Sequence, residues 1–378
     1  MKEKLATGII GCGKVAHLHA KALINGVNSN FRAVCSRSRE KGSEFAIQYG
    51  VNSYTLVEEM IRKEKLDMVV VCTPHPFHKD PAVKALNSGA HVLVEKPLAS
   101  TLEDCDQMME ASEKSGKTLG VVSQRRFYSP CLRMHRAISE GRIGRAALGT
   151  VLMLGWRDKA YYESDSWRGS WEHEGGGVLV NQAPHQLDLL QWFMGGDIEE
   201  LFGMWDNLNH PYIGVEDTAV AILKFRNGAA GNIVVSNSQK PGIYAKVHIH
   251  GSNGASVGVQ TDGGAMFIAG IPGNLEPTVN DMWTVPGEEK MLDQWVKEDS
   301  DIFNSVDPME YYIRLQNEEF IQSVIDGREP LVSAAEGRKT VEIFTAIYRS
   351  QRDNMPVRWP LRPETGKNDM DGRIQAPR

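Results

Sequence analysis

The chain has no cysteine pattern that could staple a fold. Its five cysteines, Cys12, Cys35, Cys72, Cys105 and Cys131, are odd in number and form no C-x-x-C pair, which reads as reduced, mostly buried thiols in a cytoplasmic protein. No apolar run approaches the ~18 residues that span a membrane, so no membrane partner is expected. The first expected strand begins within a few residues of the N-terminus, which leaves no room for a secretory leader. Basic charge is not in excess either. The net charge is −6, and Arg125-Arg126 and Arg37-Ser38-Arg39 are short clusters, so no nucleic-acid partner is expected. The pairs His17-x-His19 and His248-x-His250 lack the acidic and cysteine company of a zinc site, and no metal is expected. Internal repeats are absent. At 378 residues the chain is long for one core, and two domains are the natural division.

What is present begins with alternating strand and helix signals over residues 1–122. An apolar strand over 5–10 runs into Gly11-Cys12-Gly13-Lys14-Val15-Ala16, and a helix continues to about residue 23. In such a G-x-G-x-x-A turn the first glycine allows the tight bend and the second lets backbone approach a pyrophosphate. Ala16 is small enough for the helix to pack on the strand, and the helix N-terminus faces the anion. A second strand over 31–35 ends in Ser36-Arg37-Ser38-Arg39, with no acid before Glu40. An acid at that tip accepts from the NAD ribose, whereas a hydroxyl beside a guanidinium suits the 2′-phosphate of NADP. Arg37 stacked on adenine and indifferent to the cofactor is the alternative. The almost continuously apolar strand over 66–72 leads to Thr73-Pro74-His75-Pro76-Phe77-His78 at the ligand-binding end of a parallel sheet. The strand over 91–94 leads to Glu95-Lys96-Pro97, where a lysine set between an acid and a proline is placed for proton transfer. A surface ion pair with Glu95 is the plainer reading. The Lys96–Pro97 bond is expected to be cis. Helices over 39–49, 56–63, 82–88 and 101–115 and a strand over 118–122 complete this domain.

The pattern changes over residues 123–362. A helix over 129–140 and a strand over 146–155 precede an irregular segment rich in Trp156, Arg157, Tyr161, Tyr162, Trp167, Arg168 and Trp171. Aromatic faces with arginines suit a carbohydrate pocket; an oligomer interface is equally compatible. Next comes Glu174-Gly175-Gly176-Gly177 and a helix expected over 181–194, on which Asn181, His185 and Asp188 would share one face. Short alternating segments over 200–205, 217–225, 229–236, 245–251 and 255–261 read as an antiparallel sheet. Residues 263–306 read as a loop-rich insertion. Helices over 309–326 and 333–351 and an extended piece over 354–361 follow, and 363–378 reads as a loose tail.

Four motifs and the glycine stretch occur in order: Gly11 to Ala16, Thr73-Pro74, Gly89-Ala90-His91-Val92-Leu93-Val94-Glu95-Lys96-Pro97-Leu98, Gln124-Arg125-Arg126-Phe127, then Gly175-Gly176-Gly177. Over residues 5 to 362 the chain resembles the glucose-fructose oxidoreductase/inositol dehydrogenase/MocA family. The resemblance implies an α/β protein with an N-terminal Rossmann doubly wound parallel sheet. A C-terminal α+β domain would carry a large open, mostly antiparallel sheet through which a homodimer or homotetramer assembles. With the motifs above, it assigns NAD(P)(H) contacts to Gly11, Gly13, Lys14, Val15, Ser36, Arg37, Thr73, Pro74, His75, His78, Glu95, Lys96, Gln124 and Arg168, with NADP(H) favoured over NAD(H). Substrate contacts fall to Lys96, Arg126, Trp156, Arg157, Trp167, Arg168, Asn181 and His185, of which Lys96, His185 and Asn181 are catalytic. Lysine is a poor base at neutral pH, so burial and a cationic neighbour must favour its neutral form.

One position departs from the family. Asn181 stands where the family usually carries Asp, and an amide cannot accept a proton. Asp188 or Glu174 is then left to supply the charge. The implied activity is oxidation or reduction of a secondary alcohol or ketone of a sugar, sugar derivative or cyclitol. A glycosidase or epimerase that oxidises transiently with a retained cofactor is the alternative, and a sensor built on the same fold is a third reading.

Overall fold

A computed structural model describes residues 4–195, 197–240, 242, 244–261, 276–364 and 369–374. The chain divides into two compact units, Met1–Gln124 with Asp307–Arg338, and Arg125–Val306 with Lys339–Arg378. Among the described residues no helix is long and apolar enough to cross a membrane.

In the first unit six strands form one parallel sheet: β1 (Leu5–Ile10), β2 (Ser29–Cys35), β3 (Asn52–Tyr54), β4 (Met68–Val71), β5 (His91–Val94) and β6 (Leu119–Val121). Their order is β3-β2-β1-β4-β5-β6, so the winding reverses between β1 and β4. That reversal opens a crevice at the carboxyl ends of the strands. β1 and β4 are buried at every residue, which is why they read as unbroken apolar runs. β3 has no such run. Its three residues are half-buried or exposed at the sheet edge, and no strand was expected there.

The helix Pro308–Asp326 belongs to this unit and not to the domain expected over 123–362. Asp307 caps its start by accepting from the Met309 and Glu310 N–H groups. Phe320 and Ile321 enter the core beside Ile9, Ala16, Ala20 and Leu23. Gln316 accepts from the Ser123 N–H and donates to the Val121 carbonyl at 2.8 Å each, closing the edge next to β6. Contacts across nearly two hundred residues of chain leave no local pattern to read.

In the second unit the sheet has eight strands: β7 (Ala146–Leu154), β8 (Ile198–Asp206), β9 (Thr218–Phe225), β10 (Ala230–Ser236), β11 (Tyr244–Gly251), β12 (Ser256–Thr261), β13 (Val279–Trp283) and β14 (Val357–Arg358), in the order β13-β12-β11-β7-β10-β9-β8-β14. Among the described residues only the β7–β10 pair is parallel. Strand alternation is strict on β9. Ala219, Ala221, Leu223 and Phe225 face inward, while Val220 and Ile222 face out with Phe202 and Met204 of β8. The helix Pro184–Met194 covers the inner face at β7 and β11.

Three expectations need correcting here. The helix expected over 181–194 is two pieces, a turn Val178–Asn181 and the helix Pro184–Met194. Pro184 carries no N–H for the Val180 carbonyl and starts a new helix at its first position. Asn181 therefore does not share a helix face with His185 and Asp188. The insertion is not loop-rich where it is described. It supplies β13 and the helix Leu292–Ser305, and residues 262–275 lie outside the described residues. Residues 369–374 of the tail are seated on the protein, with Arg373 fully buried.

Candidate active site

At the crevice of the first unit Gly11 has φ +105°, and a Cβ there would come within 2.7 Å of the Cys72 carbonyl oxygen. Only glycine fits that turn. On the Cβ side of Gly13 nothing lies within 4 Å, and no side chain caps the helix Lys14–Asn25 that follows. Uncapped N–H groups behind an open glycine are the donor set a pyrophosphate requires, so the residues fit a dinucleotide. Lys14 is exposed and Val15 half-buried beside them. At the tip of β2 Ser36 is half-buried, and the exposed Arg37 guanidinium lies 5.5 Å from the Phe77 ring centre. Thr73 donates to the Phe77 carbonyl at 2.8 Å, Pro74 precedes the short turn His75–Phe77, and His75 is buried.

Behind β5 sits a buried polar group that the sequence did not announce. His19, fully enclosed, donates from Nε2 to Glu95 Oε1 at 2.9 Å, and Asn317 meets its Nδ1 at 3.2 Å. The other Glu95 oxygen accepts the Lys96 backbone N–H at 3.0 Å. Burial works to raise the Glu95 pKa, but His19 and Lys96 outweigh it and hold the carboxyl below its usual range. Lys96 follows, half-buried, and its bond to Pro97 is cis. Glu95 is thus an internal anchor for the lysine's backbone and no surface partner.

The second unit gathers its polar groups around the glycine stretch. Glu216 accepts from the Gly177 N–H at 2.8 Å and the Leu179 N–H at 3.0 Å, and Tyr348 donates its hydroxyl to the same carboxylate at 2.9 Å. The Glu216 carbonyl also receives the Val178 N–H at 3.1 Å, and a Cβ on Gly177 would overlap that carbonyl. Alongside, Glu174 accepts from the Gly169 N–H and from the Asn181 amide, both at 2.6 Å. Burial pushes the Glu174 carboxyl up to about 7; the Gly169, Asn181 and Arg168 groups oppose this, and Glu216 adds to it. Burial likewise raises Glu216 to about 7 against its backbone and Tyr348 donors.

The Tyr161 hydroxyl lies within 3.1 Å of the Asn181 amide, 2.8 Å of the Gln182 amide and 2.5 Å of Arg168. The Arg168 guanidinium is stacked between Tyr161 at 4.2 Å and Trp167 at 4.4 Å. Arg157 is buried, donates to the Trp156 carbonyl at 2.8 Å and lies over Tyr161 at 5.4 Å. Trp156 is half-buried with Lys240 5.7 Å from its ring centre. His185 stands half-buried in the first turn of Pro184–Met194.

Comparison with known proteins agrees with this geometry. Residues 5–123 match the description "Oxidoreductase family, NAD-binding Rossmann fold", and residues 131–257 match the "GFO/IDH/MocA C-terminal domain". The chain is 30% identical to myo-inositol 2-dehydrogenase of Thermotoga maritima over 65% of this chain and 73% of that protein. It belongs to the GFO/IDH/MocA oxidoreductase family. It is 29% identical to 1,5-anhydro-D-fructose reductase of Ensifer adhaerens over 66% of this chain and 74% of that one. Among solved structures, the WlbA dehydrogenase of Bordetella pertussis, in complex with NADH and UDP-GlcNAcA, superposes with a TM-score of 0.84 at 28% identity, covering 96% of this chain and 99% of that chain. The protein is accordingly a nicotinamide-dependent oxidoreductase.

Within this family frame several assigned residues take other work. His78 is fully buried, with Nδ1 facing the Pro97 carbonyl at 2.9 Å and Nε2 facing the Thr73 carbonyl at 2.8 Å. It ties the β4 exit to the lysine loop, and both ring nitrogens are committed, which does not fit a cofactor contact. Both oxygens of Glu95 are engaged as described. Arg126 is enclosed and paired to Asp188 through two hydrogen bonds of 2.8 and 2.6 Å, with Trp192 5.0 Å from its guanidinium. It is an internal ion pair, and a substrate contact does not fit it. The Asp188 charge is spent there, which leaves Glu174 as the carboxyl on Asn181. Gln124 keeps a buried Oε1 that meets no partner among the described residues.

His19, Glu216 and Tyr348 were missed. His19 interrupts an otherwise apolar buried helix face of Ala16, Ala20 and Leu23, which is a readable signal. The pair Glu216-Asp217 directly before an apolar strand is another. Tyr348 offers none.

Proposed function

We propose that this enzyme transfers a hydride between NADP(H) or NAD(H) and a secondary alcohol or ketone of a sugar, sugar derivative or cyclitol. The observation that carries the reading is Lys96, held at the carboxyl end of β5 by the buried His19–Glu95 pair, in the sheet whose β1 ends in the glycine cradle. The names of the relatives, an inositol dehydrogenase, an anhydrofructose reductase and a nucleotide-sugar dehydrogenase, support the substrate class.

Gly11, Gly13 and the helix start at Lys14 and Val15 would hold the pyrophosphate, with Ser36 and Arg37 at the adenosine ribose and Thr73, Pro74, His75, Lys96 and Gln124 toward the nicotinamide. The bound nicotinamide supplies the hydride acceptor or donor. Lys96 accepts the proton of the alcohol oxygen in oxidation and returns it in reduction, and His185 is assigned as a second proton-handling residue. Asn181, fixed by Glu174 and Tyr161, orients a substrate hydroxyl and holds no proton itself. Trp156 and Trp167 pack against C–H faces of the ring, and Arg168, pinned in its aromatic sandwich, binds an acidic or hydroxyl group. Arg37 with no acid at the β2 tip favours NADP(H). The outward residues Phe202, Met204, Val220 and Ile222 support assembly as a homodimer or homotetramer through that sheet face.

The test is a panel of myo-inositol, 1,5-anhydro-D-fructose and UDP-GlcNAcA with each nicotinamide cofactor. Turnover at the reduced-nicotinamide band with one of them is expected. Nucleotide that stays bound through purification, with no net redox change on any substrate, would instead favour the transient-oxidation reading.

A further inference from the structure

The C-terminal segment 369–374 makes contacts that a loose tail would not. Asp369 meets Arg352 at 3.0 Å and Asp371 meets Arg349 at 2.8 Å, both arginines lying on the helix Ala334–Asp353. Gly372, at φ +87°, brings its backbone so near the helix that a Cβ would stand 2.8 Å from the Tyr348 carbonyl. This places Arg373 inside the protein with no exposed surface. Its Nη1 donates to the Met370 carbonyl at 2.6 Å, and the guanidinium lies 5.1 Å from the Tyr348 ring centre and 5.7 Å from that of Phe344.

A buried guanidinium is costly unless negative charge faces it. Burial does press Arg373 toward its neutral form; Tyr348, Asp371 and Glu216 oppose that, and Arg349 works with burial. Of the opposing groups Asp371 is 3.9 Å away and already serves Arg349. Glu216 is the carboxylate that Tyr348 touches, and it is the anchor of the glycine loop through Gly177 and Leu179.

We propose that residues 369–373 form a positioning element for the active-site loop, in which Arg373, acting across Tyr348, keeps Glu216 ionised so that both of its oxygens hold the Gly177 and Leu179 N–H groups. This rests on the reading that the glycine stretch and Asn181 serve substrate chemistry. Protonating Glu216 turns one oxygen into a donor, and one of the two loop N–H groups then loses its acceptor. The turn Val178–Asn181 loosens, and Asn181 with it. The titratable groups facing Glu216 are the Tyr348 hydroxyl, Glu174 and Arg373, with Asp371 and Arg349 behind the arginine. Burial and Glu174 favour the protonated carboxyl, and the Tyr348 hydroxyl that donates to it and the Arg373 cation behind that ring oppose them.

Amide hydrogen exchange in the full-length protein tests this without any substrate. In Arg373→Met, exchange over 174–183 is expected to rise roughly tenfold at pH 8, where wild-type Glu216 is mostly ionised, and to approach the wild-type rate at pH 6, where both proteins are protonated. Peptides of β1 and β2 stay unchanged, and Arg373→Lys restores most of the protection. If Arg373→Met fails to fold, Tyr348→Phe keeps the ring and removes the relay hydroxyl, and it is expected to show the same pH-dependent loosening. An equal loosening at both pH values in either variant, or none over 174–183, overturns the proposal. A substrate panel that gives no turnover would remove the proposed reaction and leave this exchange result standing, so the two can fail separately.

Discussion

The two glycine sites of this protein are built in opposite ways. In the first unit Gly11 and Gly13 offer bare backbone and an uncapped helix start, and the parts lie within six consecutive residues. In the second, the N–H groups of Gly177 and Leu179 are already taken by Glu216, nearly forty residues on, which Tyr348 holds in turn. One loop is open to an anion, and the other is closed by a carboxylate of its own. A site made from backbone alone tolerates distant change and fails through its own glycines. A site held by buried carboxylates fails through residues far from it and depends on pH.

Breaking the chemistry itself has the largest effect. Lys96→Ala should lower turnover by about 10³-fold while leaving the nucleotide Kd within a few-fold of wild type, since Lys96 moves the proton and the cradle is elsewhere. Retained turnover would refute its role, and parallel loss of nucleotide binding would show that the cradle had been damaged instead. Next, Glu216→Gln should destabilise the second unit by about 3 kcal/mol in denaturant unfolding, because an amide NH₂ faces a backbone N–H that has lost its acceptor. Nucleotide affinity should be unaffected, so a loss of that affinity would erase the contrast between the two sites.

The pH effect is smaller. Glu174 and Glu216 both have native pKa values raised to about 7, above those of an unfolded chain, so the native state binds more protons between about pH 4.5 and 7. Their contribution to stability is complete below the unfolded pKa and is lost as pH rises through 7. Thermal unfolding should therefore show a fall on the order of a few kcal/mol across that window, muted in a Glu174→Gln/Glu216→Gln double variant. A flat profile in wild type would mean that the native pKa values of the two carboxyls are not raised above their unfolded values. Last, Arg37→Ala should raise KM for NADP(H) about tenfold, or ~1.4 kcal/mol, and leave NAD(H) nearly unchanged. An equal change for both cofactors would make Arg37 an adenine-stacking residue.

The contrast also explains what the sequence revealed. β1 and β5 fall on the residues expected, because a buried parallel strand is written in its own apolar run. The glycine cradle was legible for the same local reason. The break at Pro184 was legible too and was overridden by the apolar periodicity around it. By contrast, the Arg126–Asp188 pair spans 62 residues and the Glu216–Tyr348 bond spans 132, and no spacing rule connects such partners. The docking of Pro308–Asp326 and of Arg373 is hidden for that reason also. Composition marked 363–378 as loose, yet two aspartates opposite Arg349 and Arg352 are enough to seat 369–374.

Hydride transfer from a sugar or cyclitol carbon is the central claim, and isotopic labelling tests it most directly. The enzyme would be incubated with oxidised cofactor and a substrate from the panel carrying deuterium on its carbinol carbons, and the nicotinamide analysed by mass spectrometry. Deuterium on the reduced nicotinamide, one per turnover, is the predicted result. Reduced nicotinamide without label, or label that never leaves the sugar, would contradict it.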